Sequence, residues 1–191
     1  MRRLLFACLA AAFACASTHL TSTWRDPALG SIQFRKVAGI AMSRDAALRR
    51  IAEDAFVKDV GAQYAIPAYS VVPDDELEDK ERVKARLEAA GVDGAVLFRL
   101  VSVDERKTWV PPTVYSRFGG YYGYAAPLVY QPGYLATDRV VQVETTLYSV
   151  PDARLVWAAR SETLNPSSVE ETIDGVVGST VAAMRGEKLI P

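Results

Sequence analysis

The side chains that most often carry catalysis or bind metals are concentrated at one end of this sequence. Both cysteines, Cys8 and Cys15, and the only histidine, His19, lie near the N-terminus of a chain of 191 residues. Because the rest of the chain has neither cysteine nor histidine, it cannot contain an internal disulfide, a Cys/His zinc site, a cysteine nucleophile or a Ser-His-Asp triad. Any chemistry there has to use carboxylates, amines and hydroxyls.

No spacing of those remaining groups matches a catalytic motif. The glycine-rich run Gly175–Thr180 has no lysine to reach a phosphate and falls inside an amphipathic pattern, which indicates helix packing. The acidic cluster Asp74–Asp79 lacks the Asp/Asn-Gly spacing of a calcium loop and is typical of a helix start. With no paired carboxylates singled out among 23 acidic residues, the sequence disfavours an enzyme and predicts no cofactor and no metal site.

The first fourteen residues have the order of a signal peptide. Arg2 and Arg3 form a basic start, Leu4 to Phe13 is an apolar stretch, and small residues follow at Ala14 to Ser17. Ten residues rise only about 15 Å as a helix, roughly half the hydrocarbon thickness of a bilayer, so the stretch is too short to span a membrane. We therefore predict an exported bacterial protein with residues 1–14 removed.

Cys15 decides between two fates of the exported chain. Ala12-Phe-Ala-Cys15 resembles the lipobox of bacterial lipoproteins, in which the cysteine is acylated and becomes the new N-terminus, although Ala12 stands where leucine is usual. Ala16 after the cysteine is not an acidic inner-membrane retention signal and favours the periplasmic face of the outer membrane. The alternative is ordinary cleavage, which would release a soluble periplasmic protein.

Composition and charge limit the classes of partner that the chain can bind. Hydrophobic residues make up 50% and charged residues 24% of the chain, as in folded globular domains. Lys and Arg number 22 against 23 Asp and Glu. Because the chain has no overall positive charge, we predict that it does not bind nucleic acid. We also predict that it attaches to a membrane only through the lipid.

Hydrophobic periodicity predicts one α/β domain over residues 34–191, preceded by a lipid tether and N-terminal strap at 15–33. Apolar runs at 36–42, 64–72 and 94–103 read as strands, and amphipathic segments at 45–60 and 79–90 read as the helices between them. This β-α-β-α-β order implies three parallel strands. Alternation over 139–164 predicts an antiparallel hairpin, and a capping box at Ser167–Glu170 opens a closing C-terminal helix at 168–185. The expected fold is thus α/β with a mixed sheet.

Residues 111–134 interrupt this order with an insertion rich in Tyr, Gly and Pro. No helical or strand period is visible in it, and such insertions are often functional. Tyrosines in a Gly/Pro frame pack poorly in a core but well against a partner, because each offers a large apolar face, one hydroxyl and few rotamers. We therefore predict a partner-binding surface made of Tyr115, Phe118, Tyr121, Tyr122, Tyr124, Tyr130 and Tyr134.

Several segments together resemble a family of uncharacterised exported bacterial lipoproteins: Thr21–Pro27, the strand Phe34–Ile40, Glu53–Phe56, Val101–Asp104 and Leu164–Ser168. Members of this family are similar in fold to the curli-secretion lipoprotein, the N-terminal domain of the Tol-system propeller protein and the lipoprotein activators of penicillin-binding proteins. The resemblance implies an interaction module and carries no catalytic residue.

Two functions are consistent with these observations. The first is a non-enzymatic envelope lipoprotein that binds or assembles with another envelope protein, whose identity the sequence does not give. The second is a module that binds cell-wall glycan or peptidoglycan through the same tyrosines, which can stack on sugar rings.

Overall fold

The computed structural model describes residues 17–28, 30–115 and 129–191, and Cys15 lies outside them. Eight strands and three α-helices occur in these ranges, together with two short 3-10 turns. In chain order they are β1 (Ser17–Arg25), β2 (Val37–Ala41), α1 (Ala46–Val60), β3 (Ala65–Pro67), α2 (Lys80–Ala89), β4 (Gly94–Val110), β5 (Thr113–Tyr115), β6 (Val129–Gln131), β7 (Tyr134–Ser149), β8 (Arg154–Leu164) and α3 (Val169–Gly186).

Six strands form one mixed sheet in the order β1-β8-β7-β4-β2-β3. Strand β2 pairs in parallel with β3 and β4, whereas β4–β7, β7–β8 and β1–β8 are antiparallel. The predicted α/β fold, with three parallel strands, a C-terminal hairpin and a closing helix, is confirmed. Strands β5 and β6 form a separate two-stranded sheet.

The larger core lies between the sheet and the helices α1 and α3. Phe56 of α1 is fully buried and meets the ring of Phe98 of β4 edge-on, with ring centroids 5.6 Å apart. Trp157 of β8 and Met184 of α3 are also fully buried in this layer. Burial of such side chains contributes most of the free energy of folding.

The opposite face of the sheet is covered over part of its width by α2 and by the turn that follows β3, whose Ala68 and Val72 are buried there. Leu87 of α2 packs there with Ala38 and Ile40 of β2 and with Ala95 of β4. Val37 belongs to the first core and Ala38 to the second, as the alternation of side chains along a strand requires. The fold is therefore layered, with one thick and one thin helical cover.

Local sequence explains where the helices begin. The carboxylate of Asp45 accepts hydrogen bonds from the N–H groups of Ala47 and Leu48, and that of Asp79 from Arg82. The predicted box at Ser167–Glu170 was wrong by one residue: Ser168 Oγ accepts the N–H of Glu171 at 3.0 Å, and the Glu171 carboxylate accepts the N–H of Ser167 at 2.7 Å.

The segment interpreted as a tether and strap at 15–33 needs correction, since nine of its residues form the edge strand β1. β-branched threonines favour an extended chain, and the ladder to β8 satisfies their backbone groups. A Cβ atom at Gly175 of α3 would collide with the Thr18 side chain, so this glycine lets the helix approach β1 closely. Trp24, near the end of β1, is 45% exposed.

Candidate functional site: a projecting two-stranded ribbon

Strands β4 and β7 continue beyond the rest of the sheet. The ladder between β2 and β4 ends at the pair Ala41–Phe98, and the ladder between β7 and β8 ends at Val140–Leu164. Beyond the pair Asp104–Val140, β4 and β7 pair only with each other among the described strands, as far as Val110–Tyr134. We call residues 104–110 and 134–139 the ribbon. Six residue steps at about 3.4 Å make it about 20 Å long.

The structure places three of the predicted partner-binding aromatics at or beyond the end of the ribbon. Tyr134 begins β7, Tyr115 ends β5 and Tyr130 lies in β6. Tyr130 is 63% exposed and Tyr134 is 51% exposed. The other four, Phe118, Tyr121, Tyr122 and Tyr124, lie outside the described residues, so their proposed role stays a prediction.

Our expectation that residues 111–134 have no strand structure was wrong at both ends of the segment. Thr113, Val114 and Tyr115 pair with Gln131, Tyr130 and Val129 in the β5–β6 ladder. β-branched and aromatic residues favour this pairing despite the prolines that flank it.

Two apolar residues of the ribbon were missed in the sequence. Trp109 is 58% exposed and Leu135 is 63% exposed, and they lie opposite each other in the β4–β7 ladder, so both side chains leave the same face. A Cβ atom at Gly133 would come within 2.7 Å of the Trp109 ring, so this glycine leaves room for the indole. The four charges of Asp104–Lys107 are typical of a solvated loop, so the sequence did not indicate that a strand continues to Trp109.

The ribbon carries its charges on both faces. On one face, Glu105 and Lys107 lie between Val103 and Trp109. Asp104 and Arg106 lie on the other face. Arg106 approaches Glu162 of β8 with 3.6 Å between Nη2 and Oε2, and Asp104 accepts a hydrogen bond from Ser102 at 2.6 Å. Within the described parts of the chain, Glu105 and Lys107 have no ion-pair partner.

An open apolar groove of about 690 Å³ lies at the base of the ribbon, past the carboxyl end of β2 and between the N-terminal ends of α1 and α3. Its exposed apolar members are Met42, Leu100, Val103 and Val169, which are 48–58% exposed. The groove and the ribbon together place several exposed apolar side chains at the end of the sheet where β2 ends.

A buried ion pair lies beneath the loop that leaves β2. Arg49 is 1% exposed and Glu53 is fully buried, with 2.9 Å between Nε and Oε1. The Glu53 carboxylate also accepts the N–H groups of Ala41 at 3.2 Å and Tyr69 at 2.8 Å. Arg49 contacts Asp74 with a second nitrogen, and its Nη2 atom lacks a partner among the described residues. This network fixes α1 to the end of β2 and to the turn after β3, which is a structural role.

The shifted pKa values also belong to structural contacts. A hydrogen bond of 2.7 Å to Asp54 raises the pKa of the Tyr69 hydroxyl. The Arg86 guanidinium, which binds both oxygens of Glu76 at 3.0 and 3.1 Å, lowers the pKa of that carboxyl, and Glu76 in turn raises the pKa of Arg86. None of these groups is on the ribbon or lines the groove at its base.

The described ranges contain neither a membrane-spanning helix nor a cluster of metal ligands. No helix there is both long enough and apolar enough to cross a membrane. No group of three His, Cys, Asp or Glu side chains there is placed to hold a metal ion.

Comparison with known proteins gives similarity to solved structures at low sequence identity. No family model and no curated protein matches the sequence. Among solved structures, the PelC dodecamer from Paraburkholderia phytofirmans is 13% identical with a TM-score of 0.47, over 90% of this chain and 98% of that one.

Two further solved structures are similarly remote. Lipoprotein GNA1162 from Neisseria meningitidis is 12% identical with a TM-score of 0.35, over 80% of this chain and 96% of that one. A PDZ domain protein from Parabacteroides distasonis is 10% identical with a TM-score of 0.37, over 89% of this chain and 36% of that one. At these values the likenesses carry no argument about function.

Proposed function

We propose that this chain is a non-enzymatic lipoprotein of the bacterial cell envelope that binds or assembles with another envelope protein through the ribbon. The observation that carries the proposal is the exposure of four large apolar side chains on and beyond the ribbon: Trp109 and Leu135 on one face, Tyr134 on the other, and Tyr130 in β6. Large aromatic side chains supply much of the binding free energy in protein interfaces, and such exposed side chains contribute little to the stability of their own domain.

The position of the first described residue, Ser17, supports a partner close to the membrane. Ser17, the first described residue, pairs with Leu164, which in turn pairs with Val140 at the base of the ribbon. Cys15 precedes Ser17 by two residues, a reach of at most about 7 Å. A lipid on Cys15 would therefore hold the ribbon end of the sheet, rather than its opposite end, against the membrane surface. We propose that this membrane surface is the periplasmic face of the outer membrane. The alternative is a soluble periplasmic protein.

The proposal is tested by cross-linking in intact cells, with a photoreactive residue at Leu135. We expect discrete cross-linked products, and we expect Trp109→Ser combined with Tyr134→Ser to reduce capture at least about tenfold, because interface aromatics contribute about 2 kcal/mol or more each. Ile51→Ser with Tyr64→Ser is the matched control, since these residues are exposed to similar extents on the body and carry no ribbon surface. Equal losses in both double variants would contradict a binding role for the ribbon.

The same cells test the anchor. The parent protein should partition into the detergent phase and Cys15→Ala should be recovered in the soluble periplasmic fraction. If the two proteins fractionate alike, ordinary secretion is the better account, and the ribbon proposal is then tested on a soluble protein.

Glycan binding is the second candidate, because the exposed rings of Tyr130 and Tyr134 have the shape and polarity that stack on sugars. Co-sedimentation with purified peptidoglycan sacculi separates the two functions. Binding to sacculi that is lost in Tyr130→Ser with Tyr134→Ser, together with no protein cross-links, would replace the protein partner by a glycan.

A further inference from the structure

One edge of β4 has no neighbouring strand over most of its length. Met42 donates the last hydrogen bond from the β2 side, to the Phe98 carbonyl at 2.9 Å. From Val103 to Trp109 every residue is exposed, and no described strand lies on that side of β4. An unpaired edge exposes a row of N–H and C=O groups that another strand can bind.

The side chains along this edge are complementary to themselves. Val103, Glu105, Lys107 and Trp109 share one face, with an apolar residue at each end and opposite charges between them. When two such strands run antiparallel, an acid can face a base and a small apolar residue can face a large one. We propose that the partner of this edge is a second copy of the chain, which extends the sheet across a two-fold axis.

Symmetry and strand geometry select the register. A two-fold axis perpendicular to the sheet keeps each residue on its own face, so facing residues must differ by an even number of positions. A register centred on Arg106 places Glu105 opposite Lys107 of the second copy and Val103 opposite Trp109 of the second copy. Each of these pairs occurs twice, and both are favourable cross-strand combinations.

Neighbouring registers are poorer. Centring on Glu105 places that carboxylate opposite its own copy and leaves Val103 facing a lysine, and centring on Lys107 places two ammonium groups together. The Arg106 register does bring two guanidinium groups together on the other face. Each already approaches its own Glu162 at 3.6 Å, and Asp104 of the second copy lies diagonally across.

This inference deepens the proposed function, since it names a second copy as one protein partner, which takes up Trp109 of β4, and leaves Leu135, Tyr134 and Tyr130 for another. Two copies anchored in one membrane would meet at a higher effective concentration than in solution. The same charges could instead keep the edge unpaired, as lysines do in many sheet proteins, and the experiment must separate these roles.

Charge exchange provides the first test, on Cys15→Ala protein studied by sedimentation velocity at low salt. Glu105→Lys alone and Lys107→Glu alone each place like charges together and should weaken self-association at least about tenfold, as expected when two cross-strand pairs turn from attractive to repulsive. The variant with both changes, and a one-to-one mixture of the two single variants, should regain the parent affinity. The control Lys58→Glu reverses an exposed charge at the far end of α1 and should have no effect.

A cysteine cross-link tests the register in the lipidated chain. Arg106→Cys should form a disulfide-linked dimer in the oxidising envelope, because the two thiols face each other across the axis. Thr108→Cys should not, since its two copies would lie four residue positions apart. Asp104→Cys and Thr108→Cys expressed together should cross-link to each other.

The inference would be overturned if the Cys15→Ala protein stayed monomeric in sedimentation and Arg106→Cys formed no disulfide-linked dimer, or if Arg106→Cys and Thr108→Cys cross-linked equally. Capture of other envelope proteins through Leu135, measured in the same variants, reports on the proposed function separately. Lost self-association with unchanged capture would leave that function in place.

Discussion

Strands β4 and β7 pass through two different environments without leaving their ladder. At Phe98, β4 is covered by α1 and only 7% of its side chain is exposed; at Trp109, eleven residues along the same strand, 58% is exposed. The backbone pairing is continuous between them apart from one irregularity between Leu100 and Ser102. Cross-strand pairing is therefore enough to extend the strand, whereas helical cover decides where a side chain stabilises the domain.

The largest expected effect comes from truncating the two aromatics of this one strand. Phe98→Ala removes a ring packed edge-on against Phe56 and should lower the free energy of unfolding by about 3–5 kcal/mol. Trp109→Ala removes a more exposed ring and should cost less than about 1 kcal/mol. Denaturant unfolding of both variants measures the difference in their free energies of unfolding. The comparison requires that both variants have the same dependence of that free energy on denaturant concentration.

Comparable losses from the two truncations would show that the ribbon is part of the cooperative core. In that case the exposed aromatics stabilise their own chain, and the argument for a partner at this surface fails. Phe56→Ala is the control for the covered region, since its ring is fully buried and contacts Phe98 from the helix side.

Helix α3 offers a smaller test of how tightly the cover fits. Gly175→Ala places a methyl group against Thr18 and should destabilise by about 1–3 kcal/mol, the usual cost of overpacking. Gly178→Ala meets nothing within 4 Å and should be neutral or stabilise by up to about 1 kcal/mol through helix propensity. Thermal unfolding separates the two signs.

Thr18→Ala removes the colliding hydroxyl and should recover part of the Gly175→Ala loss in a double-mutant cycle. Independent, additive effects would mean that β1 moves away from α3 at little cost. The N-terminal strand would then be a loosely attached edge, closer to the tether that its polar sequence suggested.

Periodicity predicted the covered elements well because burial imposes it. Helices α1, α2 and α3 lie within one residue of their expected bounds, because each has apolar residues at helical spacing on its inner face, including Phe56, Leu87 and Val177 respectively. Where no layer covers the chain, the sequence has no reason to show a period. The outer part of β4 was missed for this reason, since ladder hydrogen bonds form it and leave no apolar alternation. Strand β1 was missed because its Thr- and Ser-rich sequence is polar, although α3 lies against it at Gly175.

The candidate site was predicted in part, through its aromatic composition. Tyr130 and Tyr134 were found because tyrosine is conspicuous in a Gly/Pro context, and both are exposed. Trp109 and Leu135 were missed because they adjoin charged or polar stretches, and only the β4–β7 register brings them together. The pairing of Glu105 with Lys107 across two copies likewise depends on knowing which edge is free.

The smallest effect concerns the thin cover at α2, where Glu76 and Arg86 hold a surface turn against the helix. The arginine lowers the pKa of Glu76 below its usual value of 4.5, chiefly through their hydrogen bonds. Because the folded-state pKa is depressed, the stabilisation is complete above the unfolded value and is lost as the pH falls through the folded one.

Arg86→Gln should return the pKa of Glu76 toward its usual value, and its stability should fall below that of the parent near neutral pH but converge with it in acid. The matched change Arg82→Gln removes a guanidinium whose Nη1 atom lies 4.0 Å from Glu76 Oε1, and it should shift that pKa less. Carbon NMR of the Glu76 carboxyl group, with urea unfolding at about pH 7 and about pH 3, measures both effects. Self-association and partner capture should not change, since this pair lies on α2 and its preceding turn, away from the ribbon. A change in either would show that the two regions are coupled and would end the separation of a stabilising body from a binding ribbon.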